Sequence, residues 1–274
     1  MSTRLRAAPF VLAAIGLAVA FVVIYLFFVR SYIGQIVDER AFNGAYATHS
    51  AVVAVAGAFL TLLPAVALGA GSIATILIAV ARRAWKLLVI AAVVVAGANI
   101  STELLKYIFL SRPATGATIV ISNSFPSGHT TVAASISFAI FLVSAPRLRP
   151  AIAVIGWAFS LATGEFTLVS QWHRPSDVIA GYIVVAFWGC IAGAISAWWG
   201  IPVAERPNRS RLIALWWIAL VCAVVAAASF VLIYATIQNH GSHLQVAYVG
   251  GIAAIGAVGS AFAAIANRLF RAVG

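Results

Sequence analysis

The chain has 274 residues, 64% of them hydrophobic and only 8% charged, with a mean hydropathy of +1.07. A soluble domain carries roughly 25% charged residues, so this composition excludes one and places the chain in a bilayer. The net charge of +11 is scattered through short segments between apolar runs rather than gathered with aromatics on a polar face. That pattern excludes a nucleic-acid surface and reads as a topology signal.

Apolar runs of spanning length cover residues 9–29, 51–80, 86–110, 129–145, 150–168, 178–200, 212–237 and 245–266. Arg4 and Arg6 precede the first run as in a signal peptide, but it ends in Phe27-Phe28-Val29-Arg30 without a small-residue cleavage pattern, so it is read as a retained span. The second run is interrupted by Pro64 and by Gly69-Ala70-Gly71. The expected fold class is therefore an all-α polytopic membrane helix bundle with eight predicted spans.

Basic residues sort by alternate loops. Arg4, Arg6, Arg82, Arg83, Lys86, Arg147, Arg149, Arg206, Arg209, Arg211, Arg268 and Arg271 fall on one side with Glu205 as the only acid. Arg30, Arg40, Lys106, Arg112 and Arg174 fall on the other with the remaining five acids. The positive-inside rule makes the first side, and both termini, cytoplasmic. The segments around residues 111–128 and 169–177 then face the periplasm or exterior. Cys190 and Cys222 sit inside apolar runs and read as small buried side chains, and Gly189 and Gly193 form a GxxxG read as close packing inside the bundle.

Ionisable groups within or at the ends of spans are costly and so mark functional candidates. Three clusters lie on the outer side: Lys106 to Pro113, Phe125-Pro-Ser-Gly-His129, and Trp172-His-Arg-Pro-Ser-Asp177. In the second, Ser127 can cap a helix and Gly128 lets an anion approach the exposed N–H groups at its positive end, with His129 alongside. In the third, His173 and Asp177 are four residues apart, one turn of a helix opened by Pro175. Asp177 can hold one ring nitrogen and leave the other as nucleophile or base. Lys106 and Arg112 supply fixed charge suited to phosphoryl oxygens. Together these groups specify phosphoryl chemistry without a metal or other cofactor. Glu103, one turn before Lys106, is expected to pair with it. Glu165 lies two turns before His173, where it tunes the site or packs as a polar contact, while His49, His240 and His243 read as solvated loop residues.

These clusters resemble the three-part signature of the type 2 phosphatidic acid phosphatase superfamily, lipid phosphate phosphatases related to vanadium haloperoxidases. The matching positions are Lys106, Arg112-Pro113, Pro126-Ser127-Gly128-His129, and His173 with Asp177, within residues 50–200. The resemblance implies His173 as the nucleophile that forms a phosphohistidine, Asp177 orienting it, and His129 protonating the leaving lipid oxygen. Lys106, Arg112, Ser127 and Gly128 would bind phosphate. It also implies a six-span phosphatase-like core, with a first span and outer loop in residues 1–49, the catalytic part in 50–200 and two additional spans in 201–274.

Two departures stand out. The interval from Lys106 to Arg112 is one residue shorter than the family's, which a change in the last helical turn absorbs. The Ser-Arg expected ahead of the nucleophile falls at Phe166 and Thr167, so one phosphate-binding Arg is missing. Arg174, Thr167 and Gln171 are the auxiliary candidates for its place. The expected activity is metal-independent hydrolysis of a phosphomonoester or diphosphate on a lipid such as phosphatidic acid, phosphatidylglycerol phosphate or a polyprenyl phosphate or diphosphate. The alternatives are a lipid phosphoryl transferase and a non-catalytic lipid-phosphate binder or transporter. Hydrolysis needs neutral His173 and protonated His129, so its rate should be bell-shaped in pH.

Overall fold

The computed structural model describes residues 3–48, 50–118, 122–201, 213–238 and 243–270, with side chains from residue 7 onward. His49 and His240, and the basic residues Arg206, Arg209, Arg211 and Arg271, lie outside the described residues.

Every apolar run is helical. Helix α1 (Thr3–Ile24) continues through a π-helical turn at Tyr25–Val29 into the shorter α2 (Tyr32–Gly44). The next span is two helices, α3 (Ser50–Val66) and α4 (Ser72–Ala81), joined by a π-helical turn at Ala67–Gly71. Pro64 cannot donate to the preceding turn, and the glycines tolerate the wider one, so the interruption seen in the sequence loosens this helix without ending it. Then come α5 (Trp85–Leu104), ending in a π-helical turn at Leu105–Phe109, α6 (Gly128–Val143), α7 (Arg149–Val169), α8 (Pro175–Trp198), α9 (Ile213–Ala235) and α10 (Leu244–Phe270). Among the described residues there is no strand, and seven helices are long and apolar enough to cross a bilayer. The protein is an all-α, multi-pass membrane bundle.

The eighth predicted span, α6, has 16 residues. At about 1.5 Å per residue it is shorter than a hydrocarbon core of roughly 30 Å. It does not need to match the lipid, because α4, α5, α7 and α8 pack around it and most of its residues are buried. Its far end is closed by two guanidinium groups. Arg149, fully buried, donates to Phe141 O (3.1 Å), Leu142 O (2.7 Å) and Phe270 O (2.7 Å), and Arg82 donates to Val143 O. These bonds satisfy carbonyls orphaned at the ends of α6 and α10. Replacing Arg149 by Met is expected to cost about 3 kcal/mol or more, since hydrogen bonds from a charged donor contribute about 1.5–3 kcal/mol each. Equilibrium unfolding of the purified protein measures it.

Phe10, early in α1, lies 6.0 Å ring to ring from Phe270 at the end of α10, so the first turns of α1 and the last turn of α10 share one end of the bundle. Gly193 faces the Phe10 ring and Gly189 faces Phe138, which makes the GxxxG a packing surface between α8 and its neighbours. Both cysteines are free. The last two helices differ: half of the spanning window of α10 is buried, against 17% for α9. Helix α10 packs on α2, α7 and α8 as well as on α9, so it belongs to the core of the bundle.

One expectation is corrected. The segment after the first span is not a loop but helix α2, with Ser31 as its N-cap accepting from Gly34 N at 3.0 Å. It escapes a hydrophobic-periodicity reading because Gln35, Asp38 and Glu39 interrupt its buried face among Val37, Ala41 and Phe42.

Candidate active site

The three polar clusters meet at the end of the bundle opposite Arg149. Ser127 is the N-cap of α6, its side chain accepting from Thr130 N (3.4 Å) and Thr130 Oγ1 (3.1 Å). Its own N–H donates to the Asp177 carbonyl at 2.8 Å, which joins the start of α6 to the first turn of α8. Gly181 permits that approach, since a Cβ there would stand 2.9 Å from Ser127 O.

Asp177 is the hub. Its Oδ2 accepts from Ser124 Oγ (2.6 Å) and Arg174 N (3.0 Å) and lies 3.5 Å from His173 Nδ1, and its Oδ1 pairs with Arg112 Nη2 at 3.3 Å. The His173 contact is long, as contacts in an unliganded site often are. With Nδ1 turned to Asp177, the other ring nitrogen is the one available to substrate. Burial pushes the His173 pKa below its ordinary value, and Asp177 opposes that shift only in part. His173 is therefore neutral at physiological pH, as a nucleophile must be. Arg112 has a fully buried side chain whose Nε and Nη1 find no hydrogen-bond partner among the described residues. Two buried, charged donors without acceptors beside the His173–Asp177 pair are suited to anionic oxygens.

A cleft of 430 Å³ opens here. His173, Ser124 and Asn123 form its floor, Gly128 and His129 of α6 one side, and Lys106, Glu103 and Tyr107 of α5 another. The His129 and His173 rings are 6.2 Å apart centre to centre, and Trp172 packs 5.2 Å from His129. Lys106 sits in the π-helical last turn of α5, where the shortened interval to Arg112 begins, and is buried. The expected Lys106–Glu103 ion pair is not formed among the described residues: both side chains face Gly128, 3.8 and 3.4 Å from where a Cβ would stand. Pro64 and Val132 complete the lining on the side between α3 and α5. Helix α4 packs on α5 while α3 packs on α6 and α7.

The auxiliary candidates are engaged elsewhere. Arg174 Nε and Nη2 both reach Glu39 Oε2 at 2.7 Å, Nη2 also bonds Thr118 Oγ1 at 3.2 Å, and the guanidinium lies 5.0 Å from the Phe42 ring centre. Its position next to His173 thus points it away from the cleft, as the roughly 100° step between helical neighbours implies. Thr167 Oγ1 donates to Gly164 O (2.7 Å) and Gln171 Nε2 to Phe42 O (3.3 Å). None of the three lines the cleft. Glu165 faces the packed interior of the bundle and His243 is exposed, both outside the cleft.

Sequence reasoning missed four groups. Ser124 bonds Asp177, and Asn123 Nδ2 ties Lys106 O (2.9 Å), Leu110 O (3.1 Å) and Phe125 O (3.2 Å) together. Their turn-forming character just before Pro126 was the available signal. Asp38 accepts from Ser176 N (3.1 Å) and Ser176 Oγ, and Glu39 holds Arg174. Burial and the charge of Asp177 raise the Asp38 pKa. Comparison with protein-family models, with curated proteins and with solved structures finds no match for this chain.

Proposed function

We propose that the protein is an integral membrane phosphatase that hydrolyses a phosphomonoester or diphosphate on a lipid through a phosphohistidine intermediate, as its resemblance to the type 2 phosphatidic acid phosphatases implies. The observation that carries this reading is the pair of imidazoles 6.2 Å apart across one cleft, with Lys106 and the start of α6 lining it and Arg112 behind His173 on Asp177. Displacement at phosphorus needs a nucleophile and a leaving-group acid on opposite sides of one tetrahedral group, with fixed positive charge about its equatorial oxygens. His173 Nε2 attacks and the P–O bond to the lipid breaks. His129 gives its proton to the leaving oxygen, and water later cleaves the P–N bond with His129 as base.

The apolar lining of the cleft at Pro64 and Val132 suits a substrate whose tail remains in the bilayer. The charge asymmetry of the loops supports an orientation with this end outside and both termini in the cytoplasm. Phosphate release from phosphatidic acid, phosphatidylglycerol phosphate and polyprenyl phosphates, in detergent with chelator present, tests the reading. Release from any of them supports it, and none from the whole panel refutes it. A second reading, phosphoryl transfer to another acceptor or binding without turnover, is favoured by one observation: Arg174 is held by Glu39 and so does not take the place of the Arg absent at Thr167. An acceptor-dependent product would establish transfer.

The lowered His173 pKa fixes one limb of the pH profile. The neutral ring persists below its ordinary titration range, so the acid limb of kcat/KM is expected below about pH 6.5. The linked stability has a definite sign. The unfolded chain protonates this ring first, so the folded state is expected to lose stability as pH falls below about 6.5. A kcat/KM profile whose acid limb lies above that value would contradict the assignment.

A further inference from the structure

Resting on the phosphatase reading, we propose that α2 is a positioning clamp, whose Gln35, Asp38 and Glu39 hold both halves of the site in register without touching substrate. The three side chains share one helical face, and each grips a residue adjacent to a catalytic or binding group. Gln35 Nε2 donates to Pro113 O at 3.1 Å while its Oε1 accepts from Thr115 Oγ1, which fixes the segment directly after Arg112. Asp38 takes both the N–H and the hydroxyl of Ser176, directly before Asp177. Glu39 takes the guanidinium of Arg174, directly after His173.

Between Arg174 and Ser176, Pro175 is wedged against α10, where a Cβ at Gly251 would stand 2.7 Å from Pro175 Cγ. Every residue separating His173 from Asp177 is thus held from outside the loop. The 3.5 Å spacing of that pair is braced by α2 and α10 in addition to the loop's own bond from Arg174 N–H to Asp177 Oδ2. Asp38 is 2% exposed and Glu39 9%. Burying carboxylates costs desolvation that an apolar face would avoid, so a helix serving only to seal the bundle would not place them here. Displacing a reacting group by about 1 Å can cost roughly a hundredfold in rate, the scale on which such a clamp acts.

The test uses the full-length protein with Asp38→Asn, Asp38→Ala, Glu39→Gln, Arg174→Gln and the double variant Glu39→Gln/Arg174→Gln. Asp38→Asn keeps an acceptor for the Ser176 N–H and so separates positioning from folding. The clamp predicts kcat lower by about tenfold for Asp38→Asn and Glu39→Gln and about a hundredfold for Asp38→Ala. KM and the Kd for inorganic phosphate should stay within about threefold, because Lys106, Arg112 and the start of α6 still bind the anion. The double variant should be no slower than either of its singles.

Unchanged kcat in the two Asp38 variants, or KM and Kd rising in step with the loss of kcat, overturns the clamp. A second readout needs no turnover. The imidazole nitrogen resonances of His173 in ¹⁵N-histidine-labelled protein, identified by their absence from His173→Ala, should shift in Asp38→Asn while those of exposed His243 stay in place. If the wild type releases no phosphate but the His173 signals shift, the clamp stands and the phosphatase reading fails. If turnover is present and neither kcat nor the signals respond, the reverse holds.

Discussion

Replacing His173 by alanine is expected to abolish phosphate release, by about 10,000-fold or more, while the protein stays folded and still binds inorganic phosphate. A removed nucleophile leaves only the contribution of binding and charge stabilisation, which is small beside the covalent step. The fold should survive because Asp177 keeps its bonds to Ser124, Arg174 N–H and Arg112 when the ring is removed. Arg112 and the Ser127 cap make their bonds to Asp177 and Thr130, so the groups expected to hold the anion stay in place. Stopped reactions analysed for acid-labile phosphate on the protein would show a phosphohistidine in the wild type only. Turnover by His173→Ala at the wild-type rate would eliminate the mechanism.

Asp177→Asn is expected to lower kcat by roughly a thousandfold and, unlike the first change, to cost stability as well. The charge that orients His173 and stabilises its imidazolium is lost, and with the Asn carbonyl kept toward Ser124 and the Arg174 N–H its amide NH2 meets the Arg112 donor. Arg112, whose side chain has no exposed surface, is then left without its counter-charge. Breaking such a buried pair costs about 3–5 kcal/mol. Thermal unfolding alongside kinetics checks both effects. A variant with wild-type stability would mean that Arg112 has another anion in solution, and one with wild-type kcat would remove Asp177 from the mechanism.

Much of the site was legible without coordinates because its members sit at helix ends in short strings. The Pro-Ser-Gly-His string marks a cap, and Ser127 is one. The four-residue spacing of His173 and Asp177 places them on one face, and they are in contact. Arg174 shows where that kind of inference stops: its proximity in sequence to His173 suggested a phosphate ligand, but Glu39, 135 residues away, had already taken it. Lys106 and Glu103 show the same, since spacing of one turn suggested an ion pair and both side chains instead face Gly128 at the start of α6.

What the sequence by itself determined was the bilayer, the helices and the polar strings at their ends, because hydropathy, run length and capping are local properties of the chain. Tertiary structure alone decided which strings meet, that Arg112 would turn to Asp177, and that α2 would be a helix with acids facing inward. Those outcomes depend on partners far apart in sequence, and a buried carboxylate is tolerated only where such a partner arrives to meet it.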